Sequence, residues 1–147
     1  MGLEIEVSSD RVTVCQSTYT KNILQKLGMN ECKPVGLPMV QGNLTERSNV
    51  SKKVNFPYRE TIGALMYLML GSRPNLAYVI GLLSRNLESP TDDDVLRVKF
   101  VFRFLSAGVK KLCFKANFKP GVLEAFSDAG FGGCVQTGKS TTGVVST

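Results

Sequence analysis

The sequence predicts an α+β chain built in three stretches: an N-terminal β-hairpin, a helical middle, and a set of strands toward the C-terminal end. Three observations carry that expectation. Apolar residues alternate with polar ones through residue 14, recur at i, i+3, i+4, i+7 spacing in the middle, and return after residue 111 as short β-forming runs punctuated by Gly and Pro. With 147 residues and 43% apolar content, the chain has room for one ordinary domain or two small ones and can build a core.

Taken in order, Leu3, Ile5 and Val7 alternate with polar neighbours, Ser8-Ser9-Asp10 can turn, and Val12 and Val14 alternate again, which is a hairpin expected to lay one face on a core. Ile23, Leu24 and Leu27 predict a helix from Thr18 to Met29, with Gly28 where it would stop. Pro34 and Pro38 force an irregular connector, and the polar stretch 41–57 reads as an exposed loop. Ile62, Leu65, Met66 and Met69, then Leu76, Val79, Ile80 and Leu83, predict two helices with one apolar stripe each. The short Gly71-Ser72-Arg73-Pro74 link makes them a tight pair, with proline favouring the second start. A third helix begins near Pro90-Thr91: Thr91 and Asp94 form a capping-box pattern, and Val95, Val98, Phe102 and Leu105 continue the buried face until Ala107-Gly108. Leu112–Lys115, Val122–Phe126 and Thr142–Val145 then read as strands.

Composition narrows the chemistry. Eighteen Lys and Arg against twelve Asp and Glu give a formal charge of +6, which suits a polyanion such as nucleic acid as well as an ordinary solvated surface. The cysteines at 15, 32, 113 and 134 show no paired spacing, and the absence of histidine removes both mixed zinc sites and the usual base of serine or cysteine triads. Free thiols in a reducing compartment are expected. No signal peptide or membrane-spanning run is visible, so an intracellular location in cytoplasm or nucleus is expected.

Several strings invite a catalytic reading. Gly133-Cys134-Val135-Gln136-Thr137-Gly138-Lys139-Ser140 fits the phosphate-loop pattern, but that loop needs a helix starting at Lys-Ser, and Thr141-Thr142-Gly143-Val144-Val145 is β-forming. A turn between strands is the simpler expectation. Asp92-Asp93-Asp94 cannot converge on one ion, because consecutive helical residues point about 100° apart. Asp128, beside Ala129 and Gly130 at the end of an expected strand, could meet a metal. Its one same-face strand neighbour is Glu124, about 13 Å away, so it would hold Mg²⁺ poorly alone. Arg59, Arg73, Lys99, Arg103, Lys110 and Lys111 could track a nucleic-acid backbone, or be solvated helix surface, with Arg73 tied to a neighbouring helix end.

The order of the blocks Tyr58-Arg59-Glu60-Thr61-Ile62-Gly63-Ala64-Leu65-Met66-Tyr67-Leu68, Arg73-Pro74-Asn75-Leu76-Ala77-Tyr78, Ser127-Asp128-Ala129-Gly130-Phe131 and Lys139-Ser140-Thr141-Thr142-Gly143 resembles the late part of a copia-type retrotransposon Pol polyprotein. Further matches extend the resemblance to nearly the whole chain. They are Gly2–Glu6 as a hairpin beyond the polymerase palm, Cys32–Val35 with Pro38-Met39 as a linker, and Pro90-Thr91 with Lys99 and Arg103–Leu105 as the helix leading to ribonuclease H.

The resemblance implies residues 1–108 as the thumb and connection region of a reverse transcriptase. It implies residues 109–147 as the opening strands of an incomplete ribonuclease H-like mixed sheet. Asp128 would be the first metal-binding aspartate of that nuclease, a vestigial position in an incomplete site. Mg²⁺ would belong to the parent enzyme, with no cofactor expected for the piece. Departures from the family are Asn75 for an aspartate, Asp94-Val95 for histidine and tryptophan, Gly130-Phe131 for aspartate and tryptophan, Gly138 for arginine and Val144 for tyrosine. The expected partners are an RNA·DNA hybrid or template-primer and the rest of the Pol polyprotein, with no membrane. A non-catalytic interaction module, self-associating through an open sheet edge, is the alternative, and a nucleotide hydrolase is a remote third.

Overall fold

The computed structural model describes residues 2–39, 55–115, 125–130, 132 and 138–146. Two compact units divide the chain, Met1–Lys115 and Ala116–Thr147.

In the first unit, strands β1 (Glu4–Val7) and β2 (Arg11–Cys15) form the expected hairpin, and β3 (Leu112–Lys115) pairs with β2 to complete an antiparallel β1-β2-β3 sheet. The strand expected to open the C-terminal stretch thus belongs with the hairpin, and the first unit runs through Lys115. Cross-strand partners share a face. The pairs Ile5 with Val14, Val7 with Val12, Val12 with Phe114 and Val14 with Leu112 therefore build one apolar face, while Glu4, Glu6, Thr13, Cys15 and Cys113 lie on the other.

The hairpin does not lay its apolar face on the core: Ile5 is 60% exposed, Val7 77% and Phe114 56%. The reason lies where β2 runs into helix α1 (Ser17–Lys26), since it is the opposite, polar face that meets the helix start. Glu4 there accepts the Thr18 backbone N–H at 2.9 Å and the Ser17 hydroxyl, serving α1 as a cap, because Gln16 at the N-cap makes no side-chain cap bond. Helix α1 ends in a Schellman arrangement: Gly28 takes φ +65°, Met29 N–H donates to Leu24 and Gly28 N–H to Gln25.

Helices α2 (Tyr58–Gly71), α3 (Ala77–Leu83) and α4 (Asp92–Ser106) follow, with a single 3-10 turn at Pro74–Leu76 leading into α3 and another at Ser84–Asn86 leaving it. The core they share contains Ile23, Leu24, Ile62, Leu65, Leu68, Leu76, Val79, Ile80, Leu83, Val95, Val98, Val101, Phe102, Phe104 and Leu105. The stripes are those the spacing predicts, with one shift: Leu68 is fully buried, whereas Met66 is 39% exposed. Tyr58 Oη donates to the Leu83 carbonyl at 2.9 Å, tying the start of α2 to the end of α3, and burial raises the phenol's pKa.

The capping box on α4 is formed in full. Asp94 N–H donates to Thr91 Oγ1, and Asp94 Oδ2 accepts the Thr91 N–H at 2.9 Å. Gly108, at φ +125°, follows the helix end.

In the second unit, β4 (Ala125–Gly130) and β5 (Thr141–Ser146) are antiparallel, in the register Ala125 with Ser146 through Gly130 with Thr141. The expected strand over Val122–Phe126 lies partly outside the described residues, as does the polar stretch 41–57. Among the described residues no helix is long and apolar enough to cross a membrane.

Candidate nucleic-acid interface

The six basic residues singled out by the sequence occupy quite different settings. Arg59 is exposed on the first turn of α2 and lines an open cleft of about 390 Å³ with Ser84, Arg85, Asn86, Leu87, Glu88 and Ser89. Lys99 and Arg103 stand one turn apart on α4. Lys99 is exposed, with its amine 5.9 Å from the Phe56 ring centroid; Arg103 lies over Phe100 at 5.5 Å and donates from Nε to the Lys33 carbonyl at 2.8 Å. Lys110 is exposed, its amine 5.1 Å from the Phe104 centroid. Aromatic contacts of this kind hold a cation in place without neutralising it. Among the described residues no carboxylate pairs with Arg59, Lys99 or Lys110.

Lys111 is committed elsewhere: its amine makes an ion pair with Glu6 at 2.7 Å across the sheet, and the pairing raises the lysine pKa and lowers that of Glu6. Arg73 is withdrawn altogether. It is 3% exposed, its guanidinium lies 5.3 Å from the Phe104 centroid, and Nε donates to Asn75 Oδ1 at 3.2 Å. Nη2 has no partner among the described residues, and burial pushes the guanidinium pKa below its ordinary value. The Arg73 backbone N–H donates to the Leu68 carbonyl in the last turn of α2.

Asp128 sits within β4, opposite Gly143, and is exposed. Its Oδ1 accepts the Ala129 N–H at 2.8 Å. Glu124 lies outside the described residues. Among those described, no three His, Cys, Asp or Glu side chains come together as a metal site, so they do not fit a two-metal centre around Asp128 and no hydrolytic step follows from them. The aspartate run is structural: Asp94 is buried in the capping box and accepts Asn86 Nδ2 at 3.0 Å, and Asp93 pairs with Arg97. Gly133–Thr137 of the phosphate-loop string lie outside the described residues, but Lys139-Ser140 lead into strand β5, where a phosphate loop requires a helix.

Three participants escaped the sequence reading. Arg85, beside Arg59 at the cleft, sits in a 3-10 turn with no periodicity to mark it. Asn75, the acceptor for Arg73, stands out in the sequence only as a departure from the family. Glu4 is one of two acids, with Glu6, that alternate with Leu3, Ile5 and Val7, and only its place opposite Cys15, next to the start of α1, distinguishes it.

The exposed cations among the described residues can hold a polyanion by charge. No protein-family model matches the chain, and no solved structure matches it. It is similar, at 30% identity over its full length, to the retrovirus-related Pol polyprotein from transposon TNT 1-94 of Nicotiana tabacum, and at 31% over 99% of its length to that from transposon RE2 of Arabidopsis thaliana. An uncharacterized mitochondrial protein of Arabidopsis thaliana is 32% identical over 97% of the chain. The chain spans 12% and 10% of the two polyproteins and 59% of the mitochondrial protein.

Proposed function

The chain is homologous over its whole length to retrovirus-related Pol polyproteins of copia-type transposons, and from that premise we propose that it is the thumb and connection region of a reverse transcriptase running into the first strands of a ribonuclease H domain. The full-length match carries this reading. Support comes from the paired helices α2 and α3, and from the antiparallel β4-β5 pair with Asp128 on its first strand. In the parent enzyme, acting inside the cell, Mg²⁺ would serve polymerase and nuclease chemistry. This chain contributes grip, through Arg59, Lys99 and Lys110, with Arg103 and Lys111 partly engaged by the protein itself. It neither polymerises nor cleaves alone.

Filter binding to an RNA·DNA hybrid tests the grip. Affinity at low salt that falls steeply as salt rises is expected, since each phosphate neutralised releases counterions. No affinity at low salt, or affinity indifferent to salt, would remove the reading.

A second reading, a non-catalytic interaction module, is favoured by the open apolar face of β1-β2-β3. Size-exclusion chromatography separates the two: a specific oligomer supports the module, and a monomer across concentrations counts against it.

A further inference from the structure

Among the described residues no carboxylate pairs with Arg73. The side chain is 3% exposed, Nη2 is unpartnered among the described residues, and the side-chain acceptor it has is the neutral amide oxygen of Asn75. The guanidinium lies 5.3 Å from the Phe104 ring centroid, and that ring also carries the Lys110 amine. Burying a guanidinium without an anion costs more than one cation-π contact and one neutral hydrogen bond return. Asn75 also lines an open cavity of about 930 Å³, bounded by residues 35–39 with Tyr78, Val79 and Phe100. Its side chain thus links the guanidinium to open space.

We propose that Arg73 and Asn75 form a binding site for one small oxyanion, a phosphate- or carboxylate-type group that enters from this cavity when the Asn75 amide turns aside. Nη2 and Nε offer the paired N–H donors that match two oxygens of such an anion. Burial sets the size limit: a polynucleotide backbone cannot bring a phosphate against a side chain so enclosed. The site is therefore distinct from the exposed cations assigned to grip.

The test is thermal unfolding of the full chain in inorganic phosphate against chloride at equal ionic strength. Asn75→Asp serves as the internal control, because its carboxylate would take the anion's place beside Nε. The native chain should gain about 3 °C at tenfold excess over half-saturation, along a curve that saturates. Asn75→Asp should start higher in chloride and gain nothing.

No gain in the native chain, a gain that climbs without saturating, as general salting does, or an equal gain in Asn75→Asp would overturn the site. An oligodeoxynucleotide at equal phosphate concentration should shift native and Asn75→Asp alike. A shift that depends on Asn75 with the oligonucleotide but not with phosphate would overturn the small-anion assignment.

Discussion

The helical layer and the β1-β2-β3 sheet of the first unit carry equally regular apolar patterns, yet they use them in opposite ways. Val98, Val101, Phe102 and Leu105 of α4 are at most 1% exposed, while Ile5, Val7 and Phe114 of the sheet are more than half exposed. Periodicity fixes which residues share a face; it does not say which face meets the rest of the molecule. In the helices the polar alternative was too charged to bury, so the choice was forced. In the sheet, Glu4 and Thr13 make hydrogen bonds on the polar face, and that face turned toward α1.

Substitution should expose this contrast directly. Phe102→Ala removes a fully buried ring and should cost about 3–5 kcal/mol in urea unfolding, whereas Val7→Thr on the open sheet face should stay within about 0.5 kcal/mol. A loss of several kcal/mol at Val7 would mean the sheet face is covered in solution.

A subtler effect is expected where strand, helix and link meet. A Cβ on Gly71 would stand 2.5 Å from Oε1 of Gln16, which is 2% exposed and accepts the Ser72 hydroxyl at 2.8 Å. Gly71→Ala should cost about 1–2 kcal/mol after its gain in helix propensity, and a double-mutant cycle with Gln16→Ala should recover part of that cost. Additive losses would show that the two do not touch. Thr91→Ala should cost about 1 kcal/mol through loss of the α4 cap, with the change measured by urea midpoint at unchanged slope.

The smallest effect separates the two caps by pH. The Ser17 hydroxyl, then the Thr18 N–H, hold the Glu4 carboxyl near a pKa of about 2 against an ordinary 4.5. A depressed carboxylate pKa stabilises the fold fully above about pH 4.5 and loses that contribution as pH falls toward 2. Stability curves of the native chain and Glu4→Gln should therefore differ above pH 4.5 and converge near pH 2. Parallel curves throughout would deny Glu4 its capping role.

The hairpin, the three core helices, the α4 capping box and the Gly28 stop were legible because each rests on local chemistry that a few neighbouring residues determine. Burial of Arg73 was not, because it depends on Phe104, thirty-one positions away, arriving beside the end of α2. The same holds for β3. Its sequence announces a strand, but pairing with β2 is a contact across about a hundred residues, and nothing in Leu112–Lys115 encodes the partner. Among the site candidates, residue type suggested a cationic surface. Only packing divides that list into exposed Arg59, Lys99 and Lys110, half-engaged Arg103 and Lys111, and enclosed Arg73.

That division is what hybrid binding reads most directly. The measurement is the slope of log affinity against log salt for an RNA·DNA hybrid, compared between the native chain and Lys99→Gln/Lys110→Gln. The slope should shrink by about 2 if each amine neutralises one phosphate, with weaker binding at every salt concentration. An unchanged slope and affinity would contradict the assignment of grip to these exposed cations.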